Sequence, residues 1–117
     1  MALSFPRSAR LLDAASFTPV FREGHRLPSR WFTVIWRRRE GGGARLGLAL
    51  AKRQIRQAHD RNRLKRLLRE SFRLQRAALP DVDLVFMARP AACTTDLAAL
   101  RNDLAGLYRQ LIQKVGE

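Results

Sequence analysis

The chain has 117 residues, the size of one domain, and its 46% hydrophobic content fits a folded core better than a disordered tail. Lys and Arg number 23 against 10 Asp and Glu, a formal net charge of +13, so the expected partner is a polyanion. Cys93 is the only cysteine, which excludes an intrachain disulfide and any zinc site built from four cysteines or from two cysteines and two histidines.

No apolar run approaches the ~20 residues of a membrane span. The opening M-A-L-S-F-P-R-S-A-R lacks the apolar core of a secretory signal. A cytoplasmic protein with no membrane attachment is the expectation. The whole chain, 1–117, reads as one domain, with residues 1–12 a basic, flexible N-terminal arm carrying Arg7 and Arg10. Asp13 or Ser16 can cap a short helix that presents Phe17, Val20 and Phe21 on one face and ends at Gly24. Proline is comfortable only in a first turn, which favours Ser16 as the cap and puts Pro19 at the third helical position.

W-F-T-V-I-W (Trp31–Trp36) is aromatic and β-branched, and reads as a strand. Arg37–Arg39 lead into E-G-G-G, a flexible turn, and R-L-G-L-A-L-A (Arg45–Ala51) reads as the partner strand of a hairpin. Asp60 is a candidate N-cap for a helix from Arg61 to about Ala78, with Pro80 beyond its end. V-D-L-V-F-M-A (Val82–Ala88) reads as a buried strand. Thr94, Thr95 or Asp96 caps a last helix reaching about Val115, with Leu97, Leu100, Leu104, Leu107, Leu111 and Val115 on its core-facing side. The order is α-β-β-α-β-α, with room for one more strand near the hairpin. That is an α+β sandwich of helices on one small sheet.

The second helix-forming stretch carries the charge. From Lys52 to Arg76 there are ten basic residues and two acids. At about 100° per residue, Leu64, Leu67, Leu68, Ser71, Phe72 and Leu74 share a buried stripe. Asn62, Lys65, Arg66, Arg69, Arg73 and Arg76 form a continuous face on the other side, with Arg61 and Arg63 on its shoulders. An ordinary solvated face is laced with opposite charges four residues apart. Here Arg66–Glu70 is the one such pair, while Lys65–Arg69 and Arg69–Arg73 repel. The face is therefore read as a polyanion-binding surface. A membrane-surface helix is disfavoured, since the apolar stripe lacks Trp and is needed for the core.

Phe17, Phe21, Trp31, Phe32 and Trp36 lie near Arg22, Arg30 and Arg37. Aromatics among cations suit single-stranded nucleic acid, because bases stack while cations follow the backbone. Core packing is the competing role for each ring. No catalytic set emerges. His25 and His59 have no metal-ligating partner at useful spacing, Asp81 and Asp83 fit a turn, and Cys93 fits a small buried residue. Gly41–Gly43 is not followed by the Lys-Ser/Thr of a phosphate loop.

R-Q-A-H-D-R-N-R-L-K-R-L-L-R-E-S-F-R (Arg56–Arg73) resembles the signature helix of the bacterial ribonuclease P protein family, whose mark is an Arg-Asn-Arg box opening a basic helix. F-P-R-S-A-R-L-L (Phe5–Leu12), F-T-P-V-F-R-E-G (Phe17–Gly24), R-L-G-L-A-L-A-K-R (Arg45–Arg53) and D-L-V-F-M-A-R-P (Asp83–Pro90) resemble the family's arm, first helix, pre-box strand and last strand, in that order. Pro19 and the pair Ile55–Arg56 depart from its pattern.

The resemblance implies the fold α-β-β-β-α-β-α, a ribosomal-protein-like sandwich with a mixed sheet and a left-handed β-α-β crossover. It implies a protein subunit whose RNA partner is the ribozyme that removes the 5′ leader of precursor tRNA, so that no catalytic residue or cofactor is expected on this chain and Mg²⁺ serves the holoenzyme through its RNA. It also implies a broader substrate range, a lower divalent-ion requirement and no obligate protein partner. Carried over by position, it assigns Arg61, Asn62, Arg63, Lys65, Arg66, Arg69 and Arg73 to the ribozyme. Phe17, Phe21, Arg30, Phe32, Lys52 and Arg53 are assigned to the leader. The competing classes are a structural RNA-binding protein of ribosomal type and a stand-alone nuclease.

Overall fold

The computed structural model describes residues 14–117, and the expected N-terminal arm lies outside them. Its elements run α1 (Ala14–Glu23), β1 (His25–Pro28), β2 (Phe32–Arg38), β3 (Arg45–Leu48), α2 (Ala58–Gln75), β4 (Val82–Ala88) and α3 (Leu97–Val115). A short 3-10 turn, Arg76–Ala78, extends α2, and another, Pro90–Thr94, precedes α3. The order is α-β-β-β-α-β-α. The extra strand is β1, H-R-L-P, which pairs antiparallel with β2.

The sheet order is β1-β2-β4-β3. The expected hairpin between Trp31–Trp36 and Arg45–Ala51 does not form: β4 inserts between β2 and β3, antiparallel to β2 and parallel to β3. The two long apolar strands take the two central positions, where most of both their faces is covered. Instead of turning a hairpin, the glycine loop crosses the start of β4. Arg39 N–H donates to Asp81 O, Gly43 N–H donates to the Asp81 carboxylate at 2.8 Å, and the Arg39 guanidinium reaches Gly43 O. Gly42 and Gly43, at φ +85° and +79°, have the left-handed backbone that this path requires.

The sheet has two unequal faces. Phe32, Val34 and Trp36 of β2 and Val82, Leu84, Phe86 and Ala88 of β4 pack with Leu64, Leu67, Leu68 and Phe72 of α2 and with the leucine stripe of α3. Tyr108 joins this core against Phe86, and its hydroxyl has no partner among the described residues. The other face, with Ile35 and Val85, is covered by Val20 of α1, with Phe17, Ala49 and Met87 around it. Trp36 is buried, stacked on His25 at 4.4 Å with the Arg38 guanidinium 5.0 Å from its ring.

The caps differ in part from expectation. Ser16 lies inside α1 and is not its cap, so Pro19 sits in the helix interior; Asp13 falls outside the described residues. Gly24 does end α1, its N–H donating to Val20 O at 2.8 Å. Helix α2 begins three residues before Arg61, at Ala58 after Gln57, so Asp60 is in its first turn and not at its cap. A carboxylate there still favours the positive end of the helix dipole. Asp96 caps α3, accepting from Ala99 N–H at 2.8 Å.

Candidate nucleic-acid interface

Helix α2 is anchored by Leu64, Leu67, Leu68 and Phe72, each at most 3% exposed. That fixes the azimuth of everything opposite. Asn62, Arg66, Arg69 and Arg73 point outward, with Lys65 half-buried beside them. Leu74, expected in the stripe, is 58% exposed. It lies in the last turn of α2, where the core no longer covers that position. Glu70 turns from this face toward Arg101 of α3, 3.9 Å away.

Arg61 and Arg63 are positioned differently from the rest of the box. The Arg61 guanidinium donates to Ile55 O at 2.8 Å and Arg56 O at 2.9 Å, tying down the loop that enters the helix. Arg63 donates to Thr95 O at 3.0 Å and Cys93 O at 3.4 Å, joining α2 to the turn before α3. Both charges are thereby held at the edge of the face by neutral carbonyls, which leave the charge in place. A guanidinium has five N–H donors, so each keeps some for a further acceptor.

The second region lies across the sheet, beside α1. Phe17 and Phe21 meet edge to face at 6.2 Å, with Phe17 half-buried and Phe21 44% exposed. Next to the strand face that α1 leaves open is a cavity of about 380 Å³, lined by Arg26, Thr33, Gln54, Met87 and Arg89 among others. Gln54 belongs to the turn that also carries Lys52 and Arg53, both exposed. Phe32 does not belong to this region. It is fully buried on the opposite face of the sheet, since alternation along β2 turns Thr33 and Ile35 toward α1 and Phe32 away from it. Arg30 is not brought here either. Its backbone N–H and that of Trp31 reach Asp103 of α3, and its guanidinium lies over Trp31 at 4.7 Å. Arg26 and Arg89 were missed from the sequence. Arg26 lies on the overlooked β1, and Arg89 directly follows β4.

The acids that could suggest a metal site are otherwise engaged. Asp83 accepts two bonds from Arg45, at 2.8 and 2.9 Å, which holds the Arg45 guanidinium above the usual arginine range. Burial first, then the nearby Asp60 charge, pushes the Cys93 thiol up, away from the reactive thiolate. Among the described residues no three His, Cys, Asp or Glu side chains cluster as metal ligands, and no helix is long and apolar enough to cross a membrane.

The Ribonuclease P family matches residues 5–112. The chain belongs to the ribonuclease P protein family. It is 44% identical over 108 residues to the ribonuclease P protein component of Photorhabdus laumondii, covering 92% of this chain and 91% of the relative. The Yersinia pestis component is 43% identical over the same coverage. The fold agrees with a Staphylococcus aureus RNase P protein, a mutant with defective mRNA degradation activity, at TM-score 0.83 and 25% identity over 90% of this chain and 89% of that one. For the Thermotoga maritima RNase P protein the TM-score is 0.69, at 30% identity over 78% and 86%. The chain is thus a protein subunit of ribonuclease P, the accessory component of an endoribonuclease whose partner is the ribonuclease P RNA.

Proposed function

We propose that the two regions divide the work of a ribonuclease P protein. The outward face of α2, with Asn62, Lys65, Arg66, Arg69 and Arg73, binds the RNA subunit, and Arg61 and Arg63 hold its N-terminal end in register. The α1 side, with Phe17, Phe21, Lys52 and Arg53, receives the single-stranded 5′ leader of precursor tRNA. Arg26, Gln54 and Arg89 of the adjoining cavity join that set, while Phe32 and Arg30 leave it. One observation carries the reading: a core-anchored helix presents Lys65, Arg66, Arg69 and Arg73 on one side with its single glutamate turned to another helix.

The physical roles follow from charge and shape. Cations on α2 offset phosphate repulsion within the folded RNA, and this substitutes in part for divalent ions. Stacking of a leader base on Phe21, with phosphates along Lys52, Arg53, Arg26 and Arg89, adds affinity for precursor over mature tRNA. Hydrolysis belongs to the RNA and its Mg²⁺; this chain binds, positions and neutralises.

The test is precursor-tRNA cleavage by the RNA subunit across a Mg²⁺ series, with and without the protein. A lower Mg²⁺ midpoint with protein is expected, and coincident curves would refute the reading. Phe21→Ala should weaken precursor binding by about 5-fold to about 150-fold, the loss of one stacked base at about 1–3 kcal/mol. It should spare mature tRNA, and equal losses for both RNAs would remove the ring from the leader path.

A further inference from the structure

Between α2 and the first turns of α3 lies a groove of about 330 Å³ that no residue of the leader set lines. Asn62, Arg63, Arg66 and Leu67 come from α2, and Leu97 and Arg101 from α3. Its walls are sharply divided. Leu67 and Leu97 are apolar, Asn62 offers both donors and an acceptor, and three arginines face one glutamate, Glu70. Arg63 is already immobilised by the carbonyls of Cys93 and Thr95, so its charge is set in place. Arg101 rests on Glu70 at 3.9 Å with both side chains about half-exposed, a weak pairing that an incoming phosphate can displace.

The volume is at the lower end of the range for small-molecule sites, about 300–1,000 Å³, so it holds one nucleotide and cannot hold a duplex. Unpaired bases are recognised by stacking on aromatic rings or arginine planes and by hydrogen bonds to the base edge, and the groove supplies the His59 ring, the arginines and Asn62.

We infer that the RNA-binding surface does not stop at α2 but turns into the α2–α3 groove, where one unpaired nucleotide of the RNA subunit is received. Arg66 and Arg101 take its phosphate, Leu97 and the exposed His59 ring flank its base, and Asn62 reads the base edge. Glu70 holds Arg101 in the place of that phosphate until the RNA arrives. This rests on the assignment of the α2 face to the RNA subunit, and it adds a residue from a second helix, Arg101, which the box does not contain.

The experiment attaches a photoactivatable azidophenacyl group at Arg101→Cys or at Arg69→Cys, each in a Cys93→Ser background. The reconstituted holoenzyme is irradiated and the RNA adducts are mapped by primer extension. Both side chains are exposed, so neither change disturbs the core. The Arg101 probe is expected to mark one or two adjacent unpaired nucleotides, at a site separate from that of the Arg69 probe. Unlabelled Arg101→Glu should weaken RNA binding about tenfold, and Glu70→Gln should not weaken it. An Arg69 adduct with no Arg101 adduct, or Arg101 adducts within a paired helix, would overturn the groove. Adducts from neither probe would overturn the α2 assignment itself, and the groove with it.

Discussion

Tyr108 is 1% exposed, and its hydroxyl finds no acceptor among the described residues. Burial accordingly drives its ionisation well above the usual phenol range. An unsatisfied buried hydroxyl is a liability, so Tyr108→Phe should stabilise the fold by about 1 kcal/mol, read as a thermal midpoint a few degrees higher. A lower midpoint would show that the hydroxyl has a partner. Arg61 presents the opposite case. Its two carbonyl bonds hold the entrance to α2, so Arg61→Ala should cost on the order of 1 kcal/mol of stability as well as RNA affinity. Urea denaturation of the free protein separates the two effects, and unchanged stability would leave only the RNA role. The pattern of leucines and arginines made the face of α2 readable from periodicity alone. Periodicity does not show that Arg61 and Arg63 spend donors on backbone carbonyls of Ile55, Arg56, Cys93 and Thr95, because those partners come from loops whose path depends on the whole fold. Phe32 illustrates the same limit. Its alternation relative to Thr33 was plain, but which face α1 covers is decided by long-range packing.

At the scale of elements, Gly24 connects α1 to the sheet. A Cβ there would lie 2.2 Å from Val20 O and 2.6 Å from an Ile35 methyl. The first is backbone and cannot yield, so α1 would have to lift from β2. Gly24→Ala should therefore destabilise by about 1–3 kcal/mol and weaken precursor binding more than binding of the RNA subunit, since α2 packs on the other face. Equal weakening of both would mean that the two faces are not independent. Helices were legible because their apolar period is internal to each segment. Strand partners were not. R-L-G-L reads as a hairpin partner of W-F-T-V-I-W on local spacing, and the insertion of β4 between them depends on V-D-L-V-F-M-A being the more apolar strand. Strand β1, four residues ending in proline with a mostly exposed pattern, carries no alternation to find. The residue pattern left room for one more strand near the hairpin, and the resemblance to the family set it before the box helix, but neither placed it at His25–Pro28.

For the molecule as a whole, +13 of net charge opposes compaction until a polyanion neutralises it. Sulfate should raise the thermal midpoint more than chloride at matched ionic strength, because bound divalent anions favour the folded state by mass action. Equal effects would reduce the anion dependence to simple screening. Neutralisation by RNA is the same effect with a specific ligand, and its most direct measure is the salt dependence of binding to the RNA subunit. The slope of log affinity against log salt should flatten by roughly 0.7–0.9 for each phosphate that is no longer neutralised. Replacing Lys65, Arg66, Arg69 and Arg73 together by alanine should thus flatten it by about 3 units. A slope unchanged from that of the native protein would place the RNA elsewhere and take α2 out of the interface.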